Sequence, residues 1–511
     1  MSHGLSIIFT HSPTTDTCTL EYIYVPKLNS VIAAKNFDKI MKMKFVGQCS
    51  SLLILGLALY LISISCTNKR LLFPASDFFY PLLKPTQFPE TPLPVNTSET
   101  NLSHLVFGLL GSEKGWRHRR AYIESWWRPN ATRGVLFLDK APSAELLPWP
   151  AGLPPYKVSD DLSGILKKSD IRAQRMVHGI MEAVREMGDE EFRWLVMGDD
   201  DSIFYVDNIA DVVATYDHTK YFYLGGQSEF IMSSYWFSFN QAFGGAGIIL
   251  SAPLAIALAA DMENCLKRYA FLNSADNTTK NCIADIGANL SPQMGNHQID
   301  LRGDISGLLS SHPLSPLLSL HHLDVVDPIF PFRDRFESAR HLMTAAAVEQ
   351  SRMLQQIICH DKESNWSISI AWGYSAQIYE TIFPRSYLQM PLETFKPWMK
   401  TSGPPPYYRF NTRPRSNDPC EAPHSFFLEV VEKAEERREI ITTYARAWPR
   451  PLPPCSSTGA HSADGINMIQ VYSPASKRNQ MDRCECCDII GKDNLMAEVR
   501  LRECMADEII A

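Results

Sequence analysis

Residues 194–198 (Trp-Leu-Val-Met-Gly) form an apolar run closed by glycine, and three aspartates, Asp199, Asp200 and Asp201, follow at once. Such a run reads as a core strand of an α/β sheet, and in those sheets ligands bind beyond the carboxyl ends of the strands. Three adjacent carboxylates repel one another unless a cation or solvent relieves them. A hard divalent ion, held through one or two carboxylates and completed by substrate phosphates, does so. The alternative is a solvated acidic turn capping a helix that starts near Asp207. A calcium-binding helix–loop–helix is excluded: counting from Asp199, positions six and twelve are Phe204 and Ala210 instead of Gly and Glu.

The flanking pattern supports an α/β sheet. Strands are expected at 105–110, 134–139, 194–198, 221–224 and 247–250. Helices are expected at 116–127, 171–187, 208–216 and 253–269, the last with Pro253 at its start. From about Pro331 the texture changes. A helix is expected over 333–359 and strands at 366–370, 376–382 and 426–430, broken by proline-rich loops. Six cysteines between Cys420 and Cys504 mark this second part as a disulfide-supported α+β module.

Segment 45–66 carries no charge and is long enough to span a bilayer as a helix. Lys35, Lys39, Lys42 and Lys44 precede it, and only Lys69 and Arg70 follow closely, which places the N-terminus in the cytosol and the rest in the lumen. A cleaved signal peptide is the rival, but the run lies far from Met1; Met41 or Met43 would serve as a start equally well. Sequons at Asn96, Asn101, Asn130, Asn277, Asn289 and Asn365 all lie beyond the anchor, as do nine cysteines, expected to form disulfides with one left over. Adjacent Cys486 and Cys487 are expected to bridge to different partners. The prolines between 74 and 94 make 67–103 an extended stem. A net charge of −7 with 45% apolar residues excludes a disordered chain and gives no electrostatic case for nucleic acid.

Two further stretches bear on chemistry. In 243–249 (FGGAGII), Gly244 and Gly245 allow close backbone approach to a ligand, or simply a tight entry to a strand. In 319–324 (SLHHLD), His321 and His322 offer imidazoles that with carboxylates suit Mn²⁺ better than an all-oxygen shell would, unless they are structural.

The order of these pieces is recognisable. Residues 105–127 (LVFGLLGSEKGWRHRRAYIESWW), GVLFLD, WLVMGDDDSIFYVDN, FGGAGIILS and SLHHLDVVDPIFP resemble the Fringe-like and core-1-type β-1,3-glycosyltransferases, a branch of glycosyltransferase family 31. SNWSISIAWGYSAQIY, FKPWM and CCDII…RECMADE look like the C-terminal region of the plant group with domain of unknown function 604. The resemblance implies a GT-A domain (Rossmann-like, nucleotide-diphospho-sugar transferase) and inverting, metal-dependent transfer from a UDP-sugar to a glycan or glycoprotein hydroxyl, with a β-1,3 linkage expected. By it, Asp199, Asp200 and Asp201 are the DxD-type motif, with Asp201 and Asp199 as Mn²⁺ ligands. His322 completes the shell, with His321 as its neighbour, and Asp139 lies near the uridine. Asp276 is the candidate general base and Asp285 the reserve; Asn277 stands where the plant group has a second Asp.

The expected organisation is a cytosolic tail (1–44), transmembrane signal anchor (45–66), stem (67–103), GT-A domain (104–335) and C-terminal accessory module (336–511), in a single-pass type II Golgi membrane protein. Two alternatives remain: a catalytically impaired Fringe-like carbohydrate-binding or scaffolding protein, and a lumenal metal-dependent phosphohydrolase.

Overall fold

The computed structural model describes residues 99–166, 171–400, 404–456, 461–478 and 483–509, and the backbone of two short strands near the N-terminus. The chain divides into two compact units, Met1–Asn96 and Thr97–Ala511. In the first, Ile7–Thr10 and Thr19–Tyr22 pair antiparallel. The expected anchor at 45–66 and most of the stem lie outside the described residues. Among the described residues, no helix is long and apolar enough to cross a membrane.

The second unit opens as the alternation predicts. In chain order come β1 (Leu105–Leu110), α1 (Glu113–Trp126), β2 (Arg133–Leu138), β3 (Tyr156–Val158), α2 (Ile171–Met187), β4 (Trp194–Asp199) and β5 (Ile203–Phe204). There follow α3 (Val206–Val213), β6 (Tyr223–Gly225), α4 (Ile231–Trp236), β7 (Ile248–Ser251), α5 (Ala252–Arg268), α6 (Ala275–Ile286) and β8 (Leu290–Pro292). Seven of these strands form one mixed sheet in the order β8-β6-β7-β4-β1-β2-β3, in which β7 runs antiparallel to both β4 and β6.

Every residue of β1 is buried, as a central strand requires. Its alternate side chains divide between two cores. Val106 and Leu110 pack with residues of α2, α5 and α6, whereas Leu105, Phe107 and Leu109 pack with Trp126 of α1 and with a core that continues into the C-terminal region. Burying each such side chain contributes roughly 1.5–3 kcal/mol, so the two regions are held by one continuous apolar interior.

Beyond the sheet lie β9 (Asn296–Gln298), β10 (Leu301–Gly303), β11 (Ser319–His321) and α7 (Arg335–Val348). β11 pairs with β9 and β5, which brings the histidines back beside the aspartates. The C-terminal region adds β12 (Gln356–Asp361), β13 (Trp366–Ala371), β14 (Ser375–Tyr379), β15 (Phe395–Pro397), β16 (His424–Ala434), β17 (Glu439–Arg446), β18 (Met468–Pro474), β19 (Cys486–Lys492) and β20 (Met496–Arg502). Eight of these nine form one sheet, β12-β13-β14-β16-β17-β18-β20-β19. Its two edge strands are joined by the Cys359–Cys487 disulfide and by Lys492 on Asp361 at 2.8 Å, which manages both exposed edges at once.

The expected helix over 333–359 is corrected: it ends at Val348, and Gln356–Asp361 is a strand. The β-branched pair Ile357-Ile358 is buried in the sheet, where such side chains pack well. Disulfides join Cys265 to Cys282, Cys420 to Cys455 and Cys486 to Cys504, and Cys484 is free. The adjacent cysteines do take different partners, and one cysteine is left over.

Candidate functional site

Asp199 is the last residue of β4, a strand flanked by parallel β1 and antiparallel β7. The turn after it is pinned from two sides. The Asp199 N–H donates to Ser202 Oγ at 2.8 Å, and Ser202 Oγ donates to the Gly245 carbonyl at 2.6 Å. Asp200 and Asp201 are buried. One cation from α1 serves them: Arg119 Nη1 lies 3.0 Å from Asp200 Oδ1 and 3.3 Å from Asp201 Oδ1, and its Nη2 donates to Asp324 Oδ2 at 2.6 Å. That single guanidinium does not neutralise the group. Burial, then the neighbouring Asp201 and Asp200, raises Asp199 well above the usual carboxylate range, and burial with Asp201 pushes Asp200 up to about 6.

Both histidines are held by their Nδ1 nitrogens, and His321 turns its Nε2 to the aspartates. His321 Nδ1 donates to Gln298 Oε1 at 2.9 Å, which turns Nε2 toward Asp201 Oδ1 at 3.2 Å and Asp199 Oδ2 at 3.6 Å. His322 Nδ1 donates to Asp300 Oδ1 at 3.0 Å, leaving its Nε2 uncommitted. The network fixes these tautomers, because Gln298 Nε2 donates to Asp300 Oδ1 at 3.0 Å and so presents Oε1 to His321. Burial opposes the charge on Asp300, but His322, Ser228 and Gln298 outweigh it and hold the carboxylate below its usual range. Burial lowers His321 against the pull of Asp201.

The structure brings Asp199, Asp201 and His321 into one cluster of possible ligand atoms, with His322 stacked on His321 at 3.9 Å and anchored to Asp300. The residues of this cluster fit a cation. The Oδ2 of Asp201 and the Oδ1 of Asp324 are buried without a hydrogen-bond partner among the described residues. Imidazoles whose far nitrogens are held by buried acceptors are the arrangement that orients metal-binding histidines.

The glycine-rich turn performs two separate tasks. Gly244 N–H donates to Asp276 Oδ1 at 2.7 Å, which brings the expected base to the turn. A Cβ on Gly245 would lie 2.0 Å from His321 Cε1, so this glycine makes room for an imidazole. Asp276 sits in the first turn of α6, where Ser274 caps the helix by accepting the Asn277 N–H. Burial raises Asp276 to about 6 against the Gly244 hydrogen bond, and Asp276 interacts electrostatically with Asp199, Asp300 and His322. The Asn277 side chain instead accepts from Asn281 one turn along α6.

Asp139 lies just past β2, where its Oδ1 accepts the Glu113 N–H at 2.7 Å and helps cap α1. Asp285, the reserve base, is not at the site: it pairs with Arg268 and Tyr269 on the surface. Sequence reasoning missed Arg119, Gln298 and Asp300. For the last two a signal existed, since Asn296, Gln298 and Asp300 form a period-two polar stripe in an otherwise strand-like run. Arg119 gave none, being one of several basic residues on α1.

Comparison with known families agrees with this assembly. A family model described as Fringe-like matches residues 163–292, which include the three aspartates, the glycine turn and Asp276. A model described as a protein of unknown function, DUF604, matches residues 233–487, which include both histidines. No curated protein sequence matches the chain. With the two matches overlapping across Gly244 and Asp276, this chain belongs to the Fringe-like proteins of glycosyltransferase family 31 and carries a DUF604 region.

Proposed function

We propose that this protein is an inverting, cation-dependent glycosyltransferase with a GT-A catalytic domain, transferring a sugar from a UDP-sugar to a hydroxyl of a glycan or glycoprotein, in a β-1,3 linkage. Family membership supports the glycosyltransferase class. The observation that carries the finer reading is the juxtaposition of the carboxylate–imidazole cluster with Asp276 on one glycine turn. Asp199, Asp201, His321 and His322 would hold Mn²⁺ or another divalent cation, which when bound neutralises the diphosphate leaving group. Asp276 accepts the proton of the attacking hydroxyl. Its Oδ1 is fixed by Gly244, which leaves Oδ2 for that transfer, and a value of about 6 suits a base working near neutrality. Arg119 keeps Asp200 and Asp201 in place when no cation is bound. Asp139, at the carboxyl end of β2, and the backbone of the glycine turn face the nucleotide side.

The segment 45–66 anchors the chain in the Golgi membrane as a type II protein, with the GT-A domain at 104–335 and the C-terminal module at 336–511 in the lumen. Screening the full chain against a UDP-sugar panel with Mn²⁺ tests this reading. Hydrolysis or transfer is expected from one donor and is lost in Asp276→Asn with nucleotide binding retained; no turnover and no binding of any donor refutes it. The sequon at Asn277, next to Asp276, favours one second reading, a Fringe-like protein that binds carbohydrate without turning it over. Nucleotide binding unaccompanied by turnover in both wild type and Asn277→Gln supports that reading.

A further inference from the structure

Trp398 comes from the C-terminal region, yet its indole lies beside the site. It directly follows β15, which pairs antiparallel with β10 so that Leu301 faces Pro397 and Gly303 faces Phe395. The chain leaving Pro397 is thereby directed toward Asp300 and the histidines. The indole stacks parallel to His322, with centroids 5.0 Å apart and planes inclined by 6°. The Arg302 guanidinium lies 3.9 Å from the centre of the same ring. His321, His322, Trp398 and Arg302 therefore form a row of planar groups that begins at Asp201 and includes one residue of the C-terminal region.

His322 needs such support. Its φ is +70°, a left-handed backbone conformation uncommon for a residue with a side chain. Surroundings that over-determine a strained residue are characteristic of functional sites. One end of the His322 ring is tied to Asp300 by its Nδ1, and its plane is set by Trp398. With the ring orientation fixed in these two ways, Nε2 has one direction in which to point.

We infer that Trp398 is a positioning residue that orients His322 toward the cation cluster, so that the C-terminal region completes the site. The inference rests on the cation-dependent reading above. With His322 and Arg302 against it, the indole is committed to protein partners and serves as a buttress.

Titration of Mn²⁺ alone into the full chain tests this without requiring turnover. Trp398→Ala is expected to weaken Mn²⁺ binding by about 10- to 100-fold, the loss typical when a group that orients a ligand is removed. Trp398→Phe, which keeps a ring to stack on His322, is expected to restore most of it. Trp448→Ala, which removes an exposed tryptophan packed on Phe332, is expected to leave affinity unchanged. Trp398→Leu fills the space without an aromatic plane and is expected to bind as weakly as the alanine variant, which keeps the test intact should the smaller side chain unfold the region. Wild-type affinity in folded Trp398→Leu or Trp398→Ala, with Asp201→Ala unable to bind, overturns the inference alone. Wild-type affinity in Asp201→Ala overturns the cation reading on which it rests.

Discussion

Gly245→Ala separates the two tasks of the glycine turn. Gly245 does not occupy the left-handed region, so alanine suits its backbone and only space is at issue. The added Cβ would meet His321 Cε1 at 2.0 Å and both ring nitrogens at 2.4 Å. Ordinary contact begins near 3.4 Å, so the imidazole must retreat by about 1.4 Å. That retreat breaks the Nδ1 bond to Gln298 and draws Nε2 from Asp201. Overpacking and one lost buried hydrogen bond together cost on the order of 2–4 kcal/mol. Gly244→Ala is the contrast: its Cβ would come 3.1 Å from Asp276 Oδ1, a contact relieved by a few tenths of an ångström. Chemical denaturation and Mn²⁺ titration read both effects. Gly245→Ala is expected to lose the stated stability and most cation affinity. Gly244→Ala is expected to bind the cation normally and lose turnover. A Gly245→Ala protein with wild-type stability and cation affinity would refute the packing of His321 against the turn.

Further expectations concern charge and cross-linking. Asp276 is raised to about 6, so its basic form is present above that value and lost below it. With donor and cation saturating, kcat should fall one decade per unit as pH drops below about 6 and stay level above it; a profile flat to pH 5 contradicts a catalytic Asp276. Arg119→Gln leaves Asp200, Asp201 and Asp324 facing one another, and the half-open position of the guanidinium moderates the loss to about 2–4 kcal/mol. Mn²⁺ should return more stability to that variant than to wild type, as thermal unfolding with and without the ion will show. Replacing Cys359 and Cys487 by Ser removes the covalent tie between the edge strands and should cost about 2–5 kcal/mol in denaturant; an unchanged midpoint would mean that the sheet edges hold without it.

Local pattern and long-range contact divided the information unevenly. β1 and β4 could be read because strands buried on both faces are continuous apolar runs, and α2 because its apolar residues recur at helical spacing. The end of α7 could not, since Met353, Leu354, Ile357 and Ile358 continue a helical spacing of apolar residues and only pairing with β13 makes Gln356–Asp361 a strand. Strands β17 to β20 escaped for the same reason: alternation over seven or eight residues interrupted by charge is weak until neighbours cover it. At the site, the aspartates and histidines stand out as clusters of unusual chemistry. The two groups that orient the histidines, Gln298 and Asp300, act through hydrogen bonds across strands, and Trp398 reaches them through a β-pair of residues almost a hundred positions apart. Gly245 was legible as a place of close approach, but whether a ligand or a side chain comes close is decided by β11.

The central claim is that the carboxylate–imidazole cluster holds a nucleotide diphosphate through a cation. Calorimetric titration of UDP into the full chain, with Mn²⁺ and then with chelator, tests it most directly. The account predicts UDP binding that requires the ion and disappears in Asp201→Ala. UDP binding that is equally tight without the ion, or that survives Asp201→Ala, would contradict it.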